Sequence, residues 1–466
     1  MIFAIIVFYL IAAWFNAGHH HPDEYYQIID YLLFFNGDKA ADSLTYEFSL
    51  KMRPFFQPLL YWGIAKVYWA VGAKSPFVLA YLFRLLTVGV FLGGCVYWMK
   101  YLKENGVSKL NLCLLPLLWF VPYFAVRASA DSLSAAFIYL GMGYLYARRF
   151  HFRTYLIFSV LCGLAYLIRY QNLFFFAVAV CWLGWQKKLN LWQLLVGVGI
   201  CAFVGLGEFP ANYLGYGEWV FSSYNHFYQN ILAGKAAGFG TMPLWGYLTL
   251  TFIKGIPPLS LVVITAFIYF WYTNPRSLLA LSTLLYFIFF SLFPHKEIRF
   301  LTPLIFLSPI ILIDFFQGLG KKWRPWIYKG FIVGNFILLP FASLIAAYRP
   351  ILIYQQLYQM NDSSRDVVVF WDNFRPEIGK HLRLEMDFYK KFPWQETPVD
   401  NLSKLDEELG QGAKLLLVTS TLREYHLVKD YSRCFLHSSI YPNFALSYNW
   451  FNWANHSAVW ALWRCR

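Results

Sequence analysis

The sequence predicts an all-α polytopic membrane protein of about eleven spans, with a small extracytoplasmic α/β domain at its C-terminus. Three observations carry this. Of 466 residues, 59% are apolar and only 14% are charged, against about 45–50% and about 25% in a soluble domain. Many apolar runs reach the roughly 17 residues needed to cross a bilayer. After residue 348 the composition returns to that of a soluble protein.

The first span covers residues 1–17. Its 2–14 run lacks a basic start and a small-residue cleavage site, so it reads as a retained span and not a signal peptide. A long polar loop, 18–75, follows and includes a half-apolar stretch at 59–71. The remaining spans fall at 76–99, 110–126, 132–147, 154–170, 172–186, 191–207, 246–272, 277–293, 300–317 and 326–348. Only Gln171 separates 154–170 from 172–186, so these two could form a re-entrant pair. A large loop occupies 208–245. Thus 1–348 forms the membrane domain and 349–466 the soluble tail. In the tail, runs at 367–370 and 414–419 read as strands and 402–409 as a helix.

The aromatic content, 21%, suits the membrane interface, where Tyr97-Trp98 and Trp271-Tyr272 close apolar runs. The net charge of +14 does not indicate nucleic acid. Lys and Arg collect in short alternate connections, from Lys100, Lys103 and Lys109 to Lys321, Lys322 and Arg324, where they meet anionic lipid headgroups. The positive-inside rule makes that side cytoplasmic. The N-terminus is then cytoplasmic and the tail extracytoplasmic. Loops 18–75 and 208–245 and the segment 295–299 share the outer face. The seven cysteines show no metal spacing. Cys434 and Cys465 could pair if the tail is extracytoplasmic.

Two outer clusters could carry chemistry. His21-Pro22-Asp23-Glu24 directly follows the first span. Its bland reading is a helix N-terminus, with Pro22 in the first turn and acids against the dipole. Its chemical reading is that desolvation raises a carboxylate toward a useful base. The run His19-His20-His21 reads as polar loop rather than metal site. The second cluster, His295-Lys296-Glu297-Ile298-Arg299, sits between two apolar spans, where ionisable groups default to function. If this segment is helical, Lys296 and Arg299 share a face and can hold a phosphate. The bland alternative is a snorkelling cluster with Glu297 as its partner. The loop 208–245 offers aromatic and amide groups suited to sugars. Arg127, Asp131 and Arg169, at outer span ends, read singly as interface anchors.

Taken together, these motifs resemble glycosyltransferase family 22, the GT-C mannosyltransferases of lipid-linked oligosaccharide and glycosylphosphatidylinositol synthesis. His21-Pro22-Asp23-Glu24 resembles the family's first-loop motif. Thr45-Tyr46-Glu47-Phe48 with Arg53 and Pro58 is similar to the stretch after it. Tyr224-Asn225-His226-Phe227-Tyr228-Gln229-Asn230 is similar to its large luminal loop, and His295–Arg299 with Phe300 to its signature. The likeness covers roughly residues 1–320. Ile298 stands where the family usually has a second acid.

The resemblance implies a GT-C fold and an inverting transfer of a sugar, typically mannose, from a polyprenyl-phosphate donor. The acceptor would be a glycolipid or lipid-linked glycan on the outer face. No cofactor is implied, and metal dependence stays open. In this reading Asp23 is the base and Glu24 orients the acceptor or supports Asp23, with the two roles exchangeable. Lys296, Arg299 and His295 take the donor phosphate. His21, Arg53, Arg169, Tyr228 and Asn230 are candidate substrate contacts. The loose match to eukaryotic members and the short cytoplasmic connections favour a bacterial inner membrane over the endoplasmic reticulum. A lipid or lipid-linked-sugar transporter, or a non-catalytic assembly subunit, remains as the alternative class.

Overall fold

The structure, a computed structural model, describes residues 2–320, 322–360, 367–371, 374–375, 380–381, 385–390, 395–410 and 415–466. Lys321 and Lys414 lie outside the described residues. The chain divides into two compact units, Met1–Ile345 and Ala346–Arg466.

The first unit is helical throughout. Among the described residues, four helices are long and apolar enough to cross a membrane: Pro76–Glu104, Leu191–Tyr216, Ile298–Gly318 and Arg324–Leu344. Five more apolar helices are shorter, at 10–17 residues: Ile2–Phe15, Phe152–Ile168, Tyr170–Trp185, Leu259–Thr273 and Leu278–Leu292. The expected count of eleven is not reached by length and composition, and the local causes are legible. The 110–126 run breaks into Lys109–Leu112, Leu114–Leu117 and Phe120–Ala125. The 246–272 run breaks at Gly255-Ile256-Pro257-Pro258, where Ile256 adopts φ 61° and the prolines donate no backbone N–H. Arg169, extended at φ −147° and ψ 97°, ends Phe152–Ile168. The 191–207 span, by contrast, runs on into the expected loop as far as Tyr216.

Side-chain caps start several of these helices. Ser75, Ser129 and Ser277 each accept a backbone N–H in the first turn, satisfying donors the helix cannot use itself. Between Pro76–Glu104 and Ala130–Ala147 the backbones approach closely. The buried Trp98 indole donates to the Tyr139 carbonyl at 3.0 Å, and Phe91 stacks on Tyr139 at 5.1 Å. A Cβ on Gly94 would lie 2.5 Å from the Tyr139 ring. This is the small-residue packing that membrane helices use in place of a hydrophobic driving force.

The second unit carries strands β1 (Val367–Trp371), β2 (Phe374–Arg375), β3 (Lys380–His381), β4 (Gln395–Val399), β5 (Leu415–Thr419), β6 (Cys434–Ser439) and β7 (Ala461–Cys465). Five form one sheet in the order β4-β1-β5-β7-β6. β1 runs parallel to β4 and β5, while β7 runs antiparallel to β5 and β6. Helices Leu402–Gly410 and Leu422–Lys429 accompany it. Cys434 and Cys465 stand opposite each other in the β6–β7 register and form a disulfide.

Gly94→Ala tests the helix contact. Within a helix that change normally stabilises by about 1 kcal/mol, but here the methyl meets Tyr139, and overpacking costs about 1–3 kcal/mol. Thermal unfolding in detergent should show a lower Tm for the variant.

Candidate active site

The first loop is braced before its acids appear. Asn16 donates to the carbonyls of Ala342 at 2.7 Å and Ile345 at 2.9 Å. The Arg127 guanidinium, 1% exposed, donates to the carbonyls of Asn16, Gly18 and Tyr123. A cation past the C-terminus of Ile2–Phe15 suits the helix dipole. Arg127 is therefore a brace on the loop.

Pro22 opens the next helix, which passes through a π-helical turn at Tyr25–Ile29 and continues as Asp30–Asn36. Asp23 and Glu24 are successive residues, so their side chains point about 100° apart. Glu24 turns inward, 6% exposed, and its Oε1 accepts the His20 N–H at 2.8 Å. Asp23 turns toward two arginines and a histidine. Its Oδ2 lies 2.7 Å from Arg299 and 3.8 Å from Arg53, and its Oδ1 lies 3.2 Å from the His21 ring.

These two arginines, and Arg169 on the wall of a cavity it shares with Asp23, each have a further carboxylate partner. Arg53 binds Glu47 through two nitrogens, at 3.1 and 2.7 Å. Arg169 binds Asp131 in the same way, at 2.7 and 3.1 Å. Arg299 binds Glu297 through Nε and Nη2 and approaches Asp131 at 3.7 Å. Glu297 accepts from His295 Nε2 at 2.8 Å and lies 3.5 Å from His21.

Segment 293–297 does not support the expected shared face for Lys296 and Arg299. Glu297 is extended, φ −130° and ψ 140°, and a 3-10 turn starts only at Ile298. The two cations therefore diverge. Lys296 Nζ reaches the carbonyls of Phe293 and, at 3.3 Å, Met242. His295 Nδ1 meets the Gly240 carbonyl at 3.1 Å. Together they fasten the end of the large loop to this segment. Tyr228 is exposed, and Asn230 donates to its own helix at the His226 carbonyl; neither has a contact with the arginine cluster.

The cluster sets the ionisation of its members. Burial alone would raise Asp23, but the His21 hydrogen bond and the charges of Arg299 and Arg53 outweigh it and hold the group well below its ordinary value. Glu297 is likewise opposed by burial, yet Arg299 and His295 pull it down to about 2. Glu24 is the acid that burial raises, despite Arg127. The expected desolvation effect therefore falls on Glu24, not Asp23. Burial and the nearby Arg127 lower His19 to about 3 and His20 to about 4, so both rings are neutral. Among the described residues, no three His, Cys, Asp or Glu side chains are grouped to hold a metal.

Two cavities meet here. A small polar one is lined by His21, Asp23, Asp131, Ser132, Arg169 and Arg299. A second, of about 350 Å³, is lined by apolar side chains including Trp119, Phe120, Phe267, Trp271 and Ile305. His20 and Phe124 belong to both walls.

Several members of this cluster are not apparent from the sequence. Asp131 reads there as an interface anchor, and nothing in sequence ties it to Arg169, 38 residues away. His226, inside the 224–230 motif, carries no signal in sequence that sets it apart from its neighbours. It meets Tyr170 at 3.2 Å, and the charges of Arg53 and Arg169 add to burial in lowering its pKa.

The family model for Alg9-like mannosyltransferases matches residues 1–376. The chain belongs to this family. It is 23% identical over 335 residues to GPI mannosyltransferase 3 of Yarrowia lipolytica, covering 70% of this chain and 63% of that one. Against GPI alpha-1,2-mannosyltransferase 3 of Bos taurus the identity is 23% over 334 residues, covering 70% and 60%. The chain thus spans about three fifths of the curated relatives it matches. Among solved structures it is similar to ArnT from Cupriavidus metallidurans, crystallised with undecaprenyl phosphate. That likeness has a TM-score of 0.56 at 12% identity and covers 99% of this chain and 97% of the other. At that identity it shows the fold alone: this Alg9-like family member has a GT-C, ArnT-like architecture.

The carboxylate shifts have a measurable consequence. Asp23 and Glu297 are depressed, so their contribution to stability is present above the unfolded pKa values near 4. It is lost as pH falls toward about 2. Glu24 is raised and has the opposite sign, gaining stability on protonation. Thermal unfolding against pH should therefore show acid loss that is shallower in Glu297→Gln. Glu24→Gln, which keeps the Oε1 acceptor, should be neutral or stabilising at pH 7.

Proposed function

We propose that this chain is an inverting mannosyltransferase. It moves mannose from a polyprenyl-phosphate donor to a hydroxyl of a glycolipid on the outer, luminal face of the membrane. The observation that carries the reading is contiguity. An ionised acid and a guanidinium line a cavity that shares the His20 and Phe124 wall with an apolar cavity of about 350 Å³. A lipid-linked phosphosugar has those three needs in that order: a greasy channel, a cation for the phosphate, and a base for the acceptor hydroxyl.

In this geometry, Asp23 accepts the proton of the acceptor hydroxyl as its oxygen attacks the anomeric carbon. Arg299 stabilises the charge that develops on the departing lipid phosphate, where fixed cations in a dry site act most strongly. His21 orients Asp23 and links it to Glu297. Glu24, buried on the His20 amide, supports the turn. Arg53 and Arg169 keep the cluster charged and ordered, while Lys296 and His295 act on the loop end instead of the phosphate.

The acceptor is a glycolipid by analogy with the curated relatives, whose names specify GPI mannosyl transfer. Those relatives come from fungi and animals, which turns the compartment from the bacterial inner membrane toward the endoplasmic reticulum. The Cys434–Cys465 disulfide fits a tail on an oxidising face. Transport has no support among these observations, and a non-catalytic subunit would not need an acid beside a phosphate-sized cation.

A general base contributes about 10²–10⁴ in rate. Asp23→Asn in detergent or vesicles, assayed with radiolabelled polyprenyl-phosphate mannose and a GPI-type glycolipid, should lose transfer by at least about that factor. Near-normal turnover would remove the assignment. Arg299→Ala should raise the donor KM far more than Lys296→Ala. Equal losses would return Lys296 to the phosphate.

A further inference from the structure

Three guanidiniums around the site already hold a carboxylate each. Arg53 is forked onto Glu47, Arg169 onto Asp131, and Arg299 onto Glu297. The small cavity lined by Asp23, Arg169 and Arg299 measures about 10 Å³, room for about one water molecule. A phosphate group enters only if an existing contact parts.

The contacts are unequal. Three carboxylates are held bidentately, and forked Arg–carboxylate pairs are the strong ones. Glu47 and Asp131 are also deeply buried, at 9% and 8% side-chain exposure. Asp23 meets Arg299 at Nη1, at 2.7 Å, and its side chain is 23% exposed. Its second guanidinium, Arg53, stands at 3.8 Å. Beside the pair, the Ser132 hydroxyl is 1% exposed and has no hydrogen-bond partner. It lines the cavity at the N-terminus of Ala130–Ala147, an end of a helix that favours anions.

We propose that the donor's phosphate displaces Asp23 from Arg299, so that Asp23 becomes a competent base only in the donor-loaded enzyme. This rests on the mannosyltransferase reading and adds to it an exchange of counter-ions. Without donor, Asp23 occupies Nη1 of a guanidinium that Glu297 also holds, and the carboxylate is a weak base. Loaded, the phosphate takes that place against Arg299 and the Ser132 hydroxyl. Asp23 then loses its strongest cation and faces the acceptor. Transfer is thereby ordered, donor first, and the base is masked whenever there is no sugar to receive an attack.

The exchange makes an unusual demand on binding. A carboxylate that competes with the phosphate must weaken donor affinity, so removing it should tighten binding while abolishing transfer. The experiment titrates purified wild type, Asp23→Asn, Arg299→Ala and the double variant with polyprenyl phosphate, after checking each fold by thermal unfolding. Glu297 and Asp131 still hold Arg299 in the single variant at Asp23, and Asp23→Ala is the second choice if the amide disturbs the loop. Asp23→Asn should bind at least about fivefold tighter, the lower end of typical coupling between sites. The gain should vanish in the double variant. Equal or weaker binding by both Asp23 variants overturns the exchange while leaving the mannosyltransferase reading in place. A gain that persists without Arg299 also overturns it. Absence of lipid-phosphate binding by wild type would instead strike the functional reading itself.

Discussion

The Arg299 guanidinium is the point on which the outer face of this protein is assembled. It meets Asp23 from the first loop, Glu297 from its own segment and Asp131 from the head of Ala130–Ala147. Asp23 and Asp131 are far from Arg299 in sequence and reach it only because the helices between them pack correctly. A buried guanidinium without partners would be too costly to keep. Three acids around one cation offset that cost, and Asp23 is the one that the first loop supplies.

The packing below serves this arrangement. Close approach at Gly94 sets Ala130–Ala147 against Pro76–Glu104, and that helix presents Asp131 and Ser132. On the other side, Asn212 accepts the Phe55 N–H at 2.9 Å and donates to Val220 and Ser222. Buried Glu208 accepts from Ser222 and Ser223. The first and large loops are thus tied to a common helix, with Tyr216 donating to the Arg53 carbonyl at 2.7 Å.

Much of this was legible in sequence, and the gaps have physical reasons. The apolar runs and the change of composition in the tail announce the architecture, because bilayer thickness imposes a length on the chain. The number of spans was less legible, since runs such as 110–126 and 246–272 contain local breaks that a hydropathy sum does not see. Asp23 and Arg299 could be named from their motifs and from the cost of placing charge against lipid. Lys296 could not be placed, because its direction depends on one extended residue, Glu297. The raised carboxylate fell on Glu24 and not Asp23. Desolvation was the right force, but sequence does not say which of two adjacent acids finds an arginine. The pairs Arg169–Asp131 and Arg53–Glu47 are purely tertiary.

The most direct measurement is a structure of the protein with polyprenyl-phosphate mannose bound. The account places the lipid chain in the cavity lined by Trp119 and Phe267, the phosphate against Arg299, and the anomeric carbon facing a Asp23 carboxylate that has left the guanidinium. A phosphate seated on Lys296 or elsewhere, with Asp23 still paired to Arg299, would contradict it.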